Sequence, residues 1–89
     1  MNGKVCKPHK YAVLFQNDDT TPEGFVRTLL EALAGMSKPK MDRVLKSIQD
    51  NGEAEVWRGI KAIADTKVAL ATGLAREKGY PLNVVAKRL

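Results

Sequence analysis

Tyr11-Ala12-Val13-Leu14-Phe15 is a continuous apolar run rich in strand formers, and Asn17-Asp18-Asp19 breaks it, so the segment predicts a mostly buried strand. Directly after it, Thr20-Thr21-Pro22-Glu23 has the chemistry of a helix start. Either Thr20 is the N-cap with Glu23 closing a capping box, or Thr21 is the N-cap with Pro22 at the first helical position. Phe25, Val26, Leu29, Leu30 and Leu33 then recur at helical spacing, and Gly35 is the natural stop. Ser37 can cap a second helix in which Met41, Val44, Leu45 and Ile48 share one face, and Asn51-Gly52 ends it.

From Glu53 the period shortens. Ala54, Val56 and Arg58 alternate with Glu55, Trp57 and Gly59, which predicts a strand with one wet face. Ile63, Ala64, Val68, Ala71, Leu74 and Ala75 form a third helical stripe of mostly small residues, suited to close packing on a sheet, and Gly79 with Pro81 ends it. Pro81-Leu82-Asn83-Val84-Val85 predicts a closing strand. The order β-α-α-β-α-β predicts an α+β domain: a small sheet with the helices on one face. Residues 1–10 lack periodicity, carry Lys4, Lys7 and Lys10 and include Gly3 and Pro8; they predict a flexible basic leader, with a single domain over 11–89.

Composition narrows the function classes. Eighty-nine residues, 44% hydrophobic and 28% charged, suit one compact soluble domain rather than a disordered chain or a large catalytic architecture. No apolar run approaches the roughly 18 residues of a membrane span, and no apolar segment follows the basic start as a secretory signal requires. With one cysteine, Cys6, no internal disulfide is available, and a cytoplasmic location is expected. Cys6 and His9 offer two metal ligands where zinc needs four, so no metal is expected. The chain shows no phosphate loop and no nucleophile–base set, and the expectation is a protein that is not an enzyme and carries no cofactor.

A net charge of +5 points first to an anionic partner. Lys38, Lys40, Arg43 and Lys46 lie on the polar side of the second helix, yet no aromatics interleave with them, so a small nucleic-acid-binding module is the weakest reading. The stretch from Asn17 to Glu31 departs from the whole: Asp18, Asp19, Glu23 and Glu31 stand against Arg27 alone. Its carboxylates, amide and hydroxyls suit a cation with several donors, such as an ammonium group. The alternative is that they only end the strand and cap the helix, where acids also favour the helix dipole.

Tyr11-Ala-Val-Leu-Phe-Gln-Asn17-Asp18-Asp19, then Thr21 and Phe25-Val26, then Ile63-Ala-Asp-Thr-Lys-Val-Ala69, and finally Ala75-Arg-Glu-Lys-Gly-Tyr-Pro-Leu82 together resemble the ClpS family of adaptor proteins. The resemblance runs without gaps from Tyr11 to Leu82. It implies a fold similar to the C-terminal domain of the ribosomal stalk protein, which agrees with the element order read above. It also implies binding of substrate proteins through a destabilising first residue, an N-degron, and delivery to a ClpA- or ClpC-type AAA+ chaperone through that chaperone's N-terminal domain.

By resemblance, Asn17 and Asp18 accept hydrogen bonds from the substrate's free α-amino group and Thr21 contacts its backbone. Val26, Met36, Leu45, Ile48 and Leu82 line the apolar pocket for a bulky first side chain, and Lys67 contacts the chaperone. Two positions depart from the family. Gln49 stands where a histidine helps to hold the α-amino group, and keeps an acceptor while losing a titratable group. Glu23 stands at the pocket rim where methionine is usual; it either alters first-residue preference or serves as a helix-capping acid. A degenerate member of the family, with degron binding altered or lost and another protein interaction in its place, is the competing expectation.

Overall fold

A computed structural model describes residues 9–89, so most of the expected leader, Cys6 included, lies outside the described residues. The elements are β1 (Lys10–Gln16), α1 (Glu23–Ala34), α2 (Lys38–Asn51), β2 (Glu53–Ile60), α3 (Lys61–Glu77) and β3 (Asn83–Arg88). This is the β-α-α-β-α-β order that the patterning predicts. In the sheet, β1 lies between β2 and β3 and runs antiparallel to both.

One face of β1 presents Tyr11, Val13 and Phe15, because side chains alternate along a strand. Their partners on β3 are Ala86 opposite Val13 and Val84 opposite Phe15. These residues join Val26, Leu29 and Leu30 of α1, Met41, Val44, Leu45 and Ile48 of α2, and Ala64, Ala71 and Ala75 of α3 in one hydrophobic core. Phe15, Leu29, Leu30 and Val13 are its largest fully buried members. Burial of each contributes about 1.5–3 kcal/mol.

Alternation fails in β2 for a definite reason. Val13 pairs with Trp57 and Leu14 with Glu55, so Val56 is an extra residue, a bulge. The bulge lets Val56 be buried while Trp57, its neighbour, also packs against the core. The indole lies over Gly59: a Cβ there would sit 2.7 Å from Cζ2 of Trp57 and closer still to Cη2. Lys67 of α3 covers the ring from another side, its Nζ 5.1 Å from the ring centroid, and donates a hydrogen bond to the Leu33 carbonyl near the C-terminal end of α1. Lys67, which the family resemblance assigns to chaperone contact, is thus half-buried and tethers α3 to α1.

Two further expectations need correction. Neither threonine caps α1. Pro22 is the N-cap, its carbonyl accepting from the amides of Phe25 and Val26 at 3.1 and 3.2 Å, and no side chain caps the helix. The backbone amides of Thr20 and Thr21 are instead taken by Asp18, and the helix starts one or two residues later than either threonine cap would place it. Of the expected α3 stripe only Ala64, Ala71 and Ala75 are buried, with Val68 half-buried beside them. Ile63 and Leu74 are 45% and 43% exposed, because Ala64, Ala71 and Ala75 let the helix approach the sheet so closely that larger neighbours are left on its flanks.

Gly59→Ala should lower stability by about 1–3 kcal/mol, because the indole of Trp57 must yield to the new methyl group. Trp57 is the sole tryptophan of the chain, so thermal unfolding followed by its fluorescence reads both the loss and the displaced ring.

Candidate functional site

The end of β1 is fixed before it becomes polar. The Asn17 amide donates to the Gly52 carbonyl at 2.8 Å, joining the strand end to the end of α2, where Gly52 takes φ +84°. That left-handed turn carries the chain straight from helix into β2, a geometry that favours glycine. Asn17 itself is exposed, and the backbone bond uses its amide and leaves its side chain free of it. Beside it, Gln16 spans the sheet: its Nε2 donates to Glu53 at 3.2 Å and its Oε1 accepts from Asn83 Nδ2 at 3.0 Å.

Asp18 organises the turn that follows. Its Oδ1 accepts the amides of Thr20 and Thr21 at 2.8 and 2.7 Å, leaving Oδ2 for other donors. Burial by itself would raise the Asp18 carboxyl. The Thr21 amide, the nearby Thr21 hydroxyl and the Thr20 amide outweigh that effect and hold it below its ordinary value, so it is an anion at neutral pH. The Thr21 hydroxyl acts on Asp18 by proximity only, since its geometry falls short of a formed hydrogen bond. Its Oγ1 is buried and unpartnered, and such orphaned polar atoms are costly and rare.

These groups ring a cavity of about 120 Å³. Gln16, Asn17, Asp18, Thr21, Glu23 and Gln49 supply its polar wall, and Val26, Leu45, Ile48 and Leu82 its apolar one. Val26 comes from α1, and Leu45, Ile48 and Gln49 from α2. Leu82 is held by the loop before β3: Arg76 Nη1 donates to the Tyr80 and Leu82 carbonyls at 2.6 and 3.2 Å. Tyr80 also packs edge-on against Phe25 of α1, ring centroids 5.0 Å apart.

Asn17, Asp18, Thr21, Glu23, Val26, Leu45, Ile48, Gln49 and Leu82 are brought together around this one cavity. Met36 is not among the lining residues: just past the left-handed turn at Gly35 it is buried in the shared core. Lys67 belongs to the Trp57 tether described above. Gln16 was given no role by sequence patterning, and the only signal for it is its place directly before Asn17-Asp18. Glu23 caps nothing; its carboxylate takes Arg27 Nε at 3.1 Å. The lysines and arginine of α2 are exposed, but Asp42 and Asp50 stand among them, Asp50 3.9 Å from Lys46.

Chemically, the arrangement is an acceptor-rich mouth on an apolar recess, matched to a cation that carries a hydrophobic group. Among the described residues there is no group of three metal-ligating side chains, and no helix is long and apolar enough to cross a membrane.

Known proteins share this architecture. Residues 6–85 match the family model described as ATP-dependent Clp protease adaptor protein ClpS. The chain is 38% identical over 84 residues to the ATP-dependent Clp protease adapter protein ClpS 2 of Rhizobium meliloti, covering 94% of this chain and 83% of that one. Against the ClpS adapter of Deinococcus radiodurans it is 32% identical over 81 residues, covering 91% and 72%. The solved structure of Agrobacterium tumefaciens ClpS2 bound to L-phenylalaninamide superposes with a TM-score of 0.88 at 36% identity, over 93% of this chain and all of the other. Family model, relatives and fold agree across nearly the whole length, and the chain belongs to the ClpS family of Clp protease adaptor proteins.

Proposed function

We propose that this chain is a non-enzymatic cytoplasmic adaptor that binds the free N-terminal residue of substrate proteins, preferring a bulky hydrophobic one, and hands them to a ClpA- or ClpC-type chaperone of the Clp protease. One observation carries the reading: an ionised carboxylate, Asp18, and an unpartnered buried hydroxyl, Thr21 Oγ1, at the mouth of an otherwise apolar cavity. An α-ammonium group donates to Asp18 Oδ2, the Asn17 carboxamide and the Gln49 carbonyl oxygen. The peptide backbone beyond it satisfies Thr21 Oγ1, and the first side chain fills the space between Val26, Leu45, Ile48 and Leu82.

Energetics favour chain ends over internal segments. Hydrogen bonds to a charged group contribute about 1.5–3 kcal/mol each, and one large apolar side chain adds a similar amount. Acetylation removes the charge and donors together. The bound phenylalanine amide in the Agrobacterium relative has the same two parts, a free amine and an aromatic side chain, which supports the assignment. An open cavity also favours this reading over a degenerate one, in which side chains would fill the space.

Short peptides beginning with Phe, Leu, Tyr, Trp, Met or Arg, each paired with its N-acetylated form, test the proposal by fluorescence anisotropy. Free Phe or Leu peptides should bind roughly tenfold or more tightly than their acetylated forms. Equal, weak binding of the two forms would overturn the reading.

Asp18 also builds the turn, so Asp18→Asn is the informative substitution: it keeps an acceptor for the Thr20 and Thr21 amides and removes the charge. Peptide affinity should fall by about 10–100-fold with the fold retained. Asp18→Ala, by contrast, also loses the turn bonds and should cost about 1 kcal/mol of stability.

The lowered Asp18 carboxyl sets the acid side of the pH profile. Because its folded value lies below the ordinary 3.8, its contribution to stability and binding is complete above that value and fades as pH falls through the folded one. On the alkaline side, affinity should fall above about pH 8, as the peptide's α-amino group loses its proton. Gln49 leaves the mouth without an imidazole, so affinity should be flat between these limits, and Gln49→His should introduce a step near pH 6.5.

A further inference from the structure

The cavity mouth carries two carboxylates, Asp18 and Glu23, and among the described residues no cationic side chain lines it. Asp18 is committed to the turn and to an incoming ammonium group. Glu23 stands in the first turn of α1 beside the space that the first side chain enters, with its own side chain 57% exposed. A free anion there would draw a guanidinium or ammonium group as readily as the recess draws a phenyl ring.

Arg27 already engages that carboxylate. Its Nε donates to Glu23 Oε2 at 3.1 Å, one turn back along α1, and its Nη2 donates to Asp42 Oδ1 at 2.6 Å on α2. The planar guanidinium thus forks between carboxylates on the two helices that wall the cavity, a geometry a lysine's point charge cannot reproduce. Arg27 directly follows the lining residue Val26, and Asp42 lies one turn before the lining residue Leu45, so the fork ties the two walls together at the rim.

We propose that Arg27 is a specificity-determining positioning residue: by committing Glu23 to the Arg27–Asp42 pair it keeps an acidic rim from accepting Arg or Lys as a first residue. The inference rests on the degron-binding reading above. It accounts for an acid at the edge of an apolar recess without making the recess a site for basic chain ends.

The test compares wild type, Arg27→Gln, Arg27→Lys and the double substitution Arg27→Gln/Glu23→Gln, using free and acetylated Phe peptides and free Arg and Lys peptides. In Arg27→Gln the affinity for Arg peptides relative to Phe peptides should rise about three- to fivefold at low salt, in the range of an exposed ion pair, and the gain should shrink at high salt. Arg27→Lys should show a smaller rise, and the double substitution none. A purely structural Arg27 would lower the melting temperature and weaken every peptide alike, leaving that ratio unmoved. An unmoved ratio in Arg27→Gln, while wild type still discriminates free from acetylated Phe, overturns this inference alone. A gain that survives in the double substitution overturns it too, since Glu23 would not be the acceptor. Equal binding of free and acetylated Phe peptides by wild type overturns both this inference and the reading beneath it.

Discussion

Strand β1 is the constraint on which the rest of the molecule depends. It alone pairs with both other strands, so its register fixes theirs, and a slip of one residue would turn Val13 and Phe15 away from the helices. Fully buried Phe15 pins that register. Because the strand is anchored so close to its end, the residues just beyond it are held to a defined height above the sheet. Gln16, bridging Glu53 and Asn83, extends the anchoring by one residue, and the Asn17–Gly52 backbone bond extends it by another. The mouth of the cavity inherits its rigidity from the core.

The parts of this design that sequence made legible are those with a broad apolar signature. The stripes of α1 and α2 are wide, and Val26, Leu29, Leu30, Met41, Val44, Leu45 and Ile48 are buried where periodicity puts them. In α3 the packing surface is made of alanines, and a pattern of hydrophobic positions cannot separate Ala71, which is buried, from Leu74, which is left on the flank. Around Thr20 and Thr21 the local chemistry of helix caps was misleading for another reason. A carboxylate two and three residues upstream captured the amides that a helix start would have used.

Legibility in the site followed the same division. Asn17, Asp18 and Thr21 belong to one short stretch, and a family motif marks them. What the sequence hid depends on contacts between distant positions: Gln16 with Asn83, Lys67 with Leu33 and Trp57, and Arg27 with Asp42. Met36 is the converse case, a residue that the family resemblance places at the cavity but which, just past the turn at Gly35, packs in the core. Total charge was the least informative quantity, because the chain's positive excess lies away from the locally acidic stretch that forms the mouth.

The division of labour within Asp18 has a wider consequence. One oxygen shapes the loop and the other is left without a partner in the turn; in the proposed reading, the group that demands a free chain end is therefore built by the same bonds that fold the loop, whereas side-chain choice rests on separate positions in α1, α2 and the Leu82 loop. Recognition of an end and selection among ends are thus mechanically independent modules. In that reading a lineage can drift in which residues it accepts, through Glu23 or Arg27, while any drift at Asp18 is opposed twice over, once by folding and once by binding.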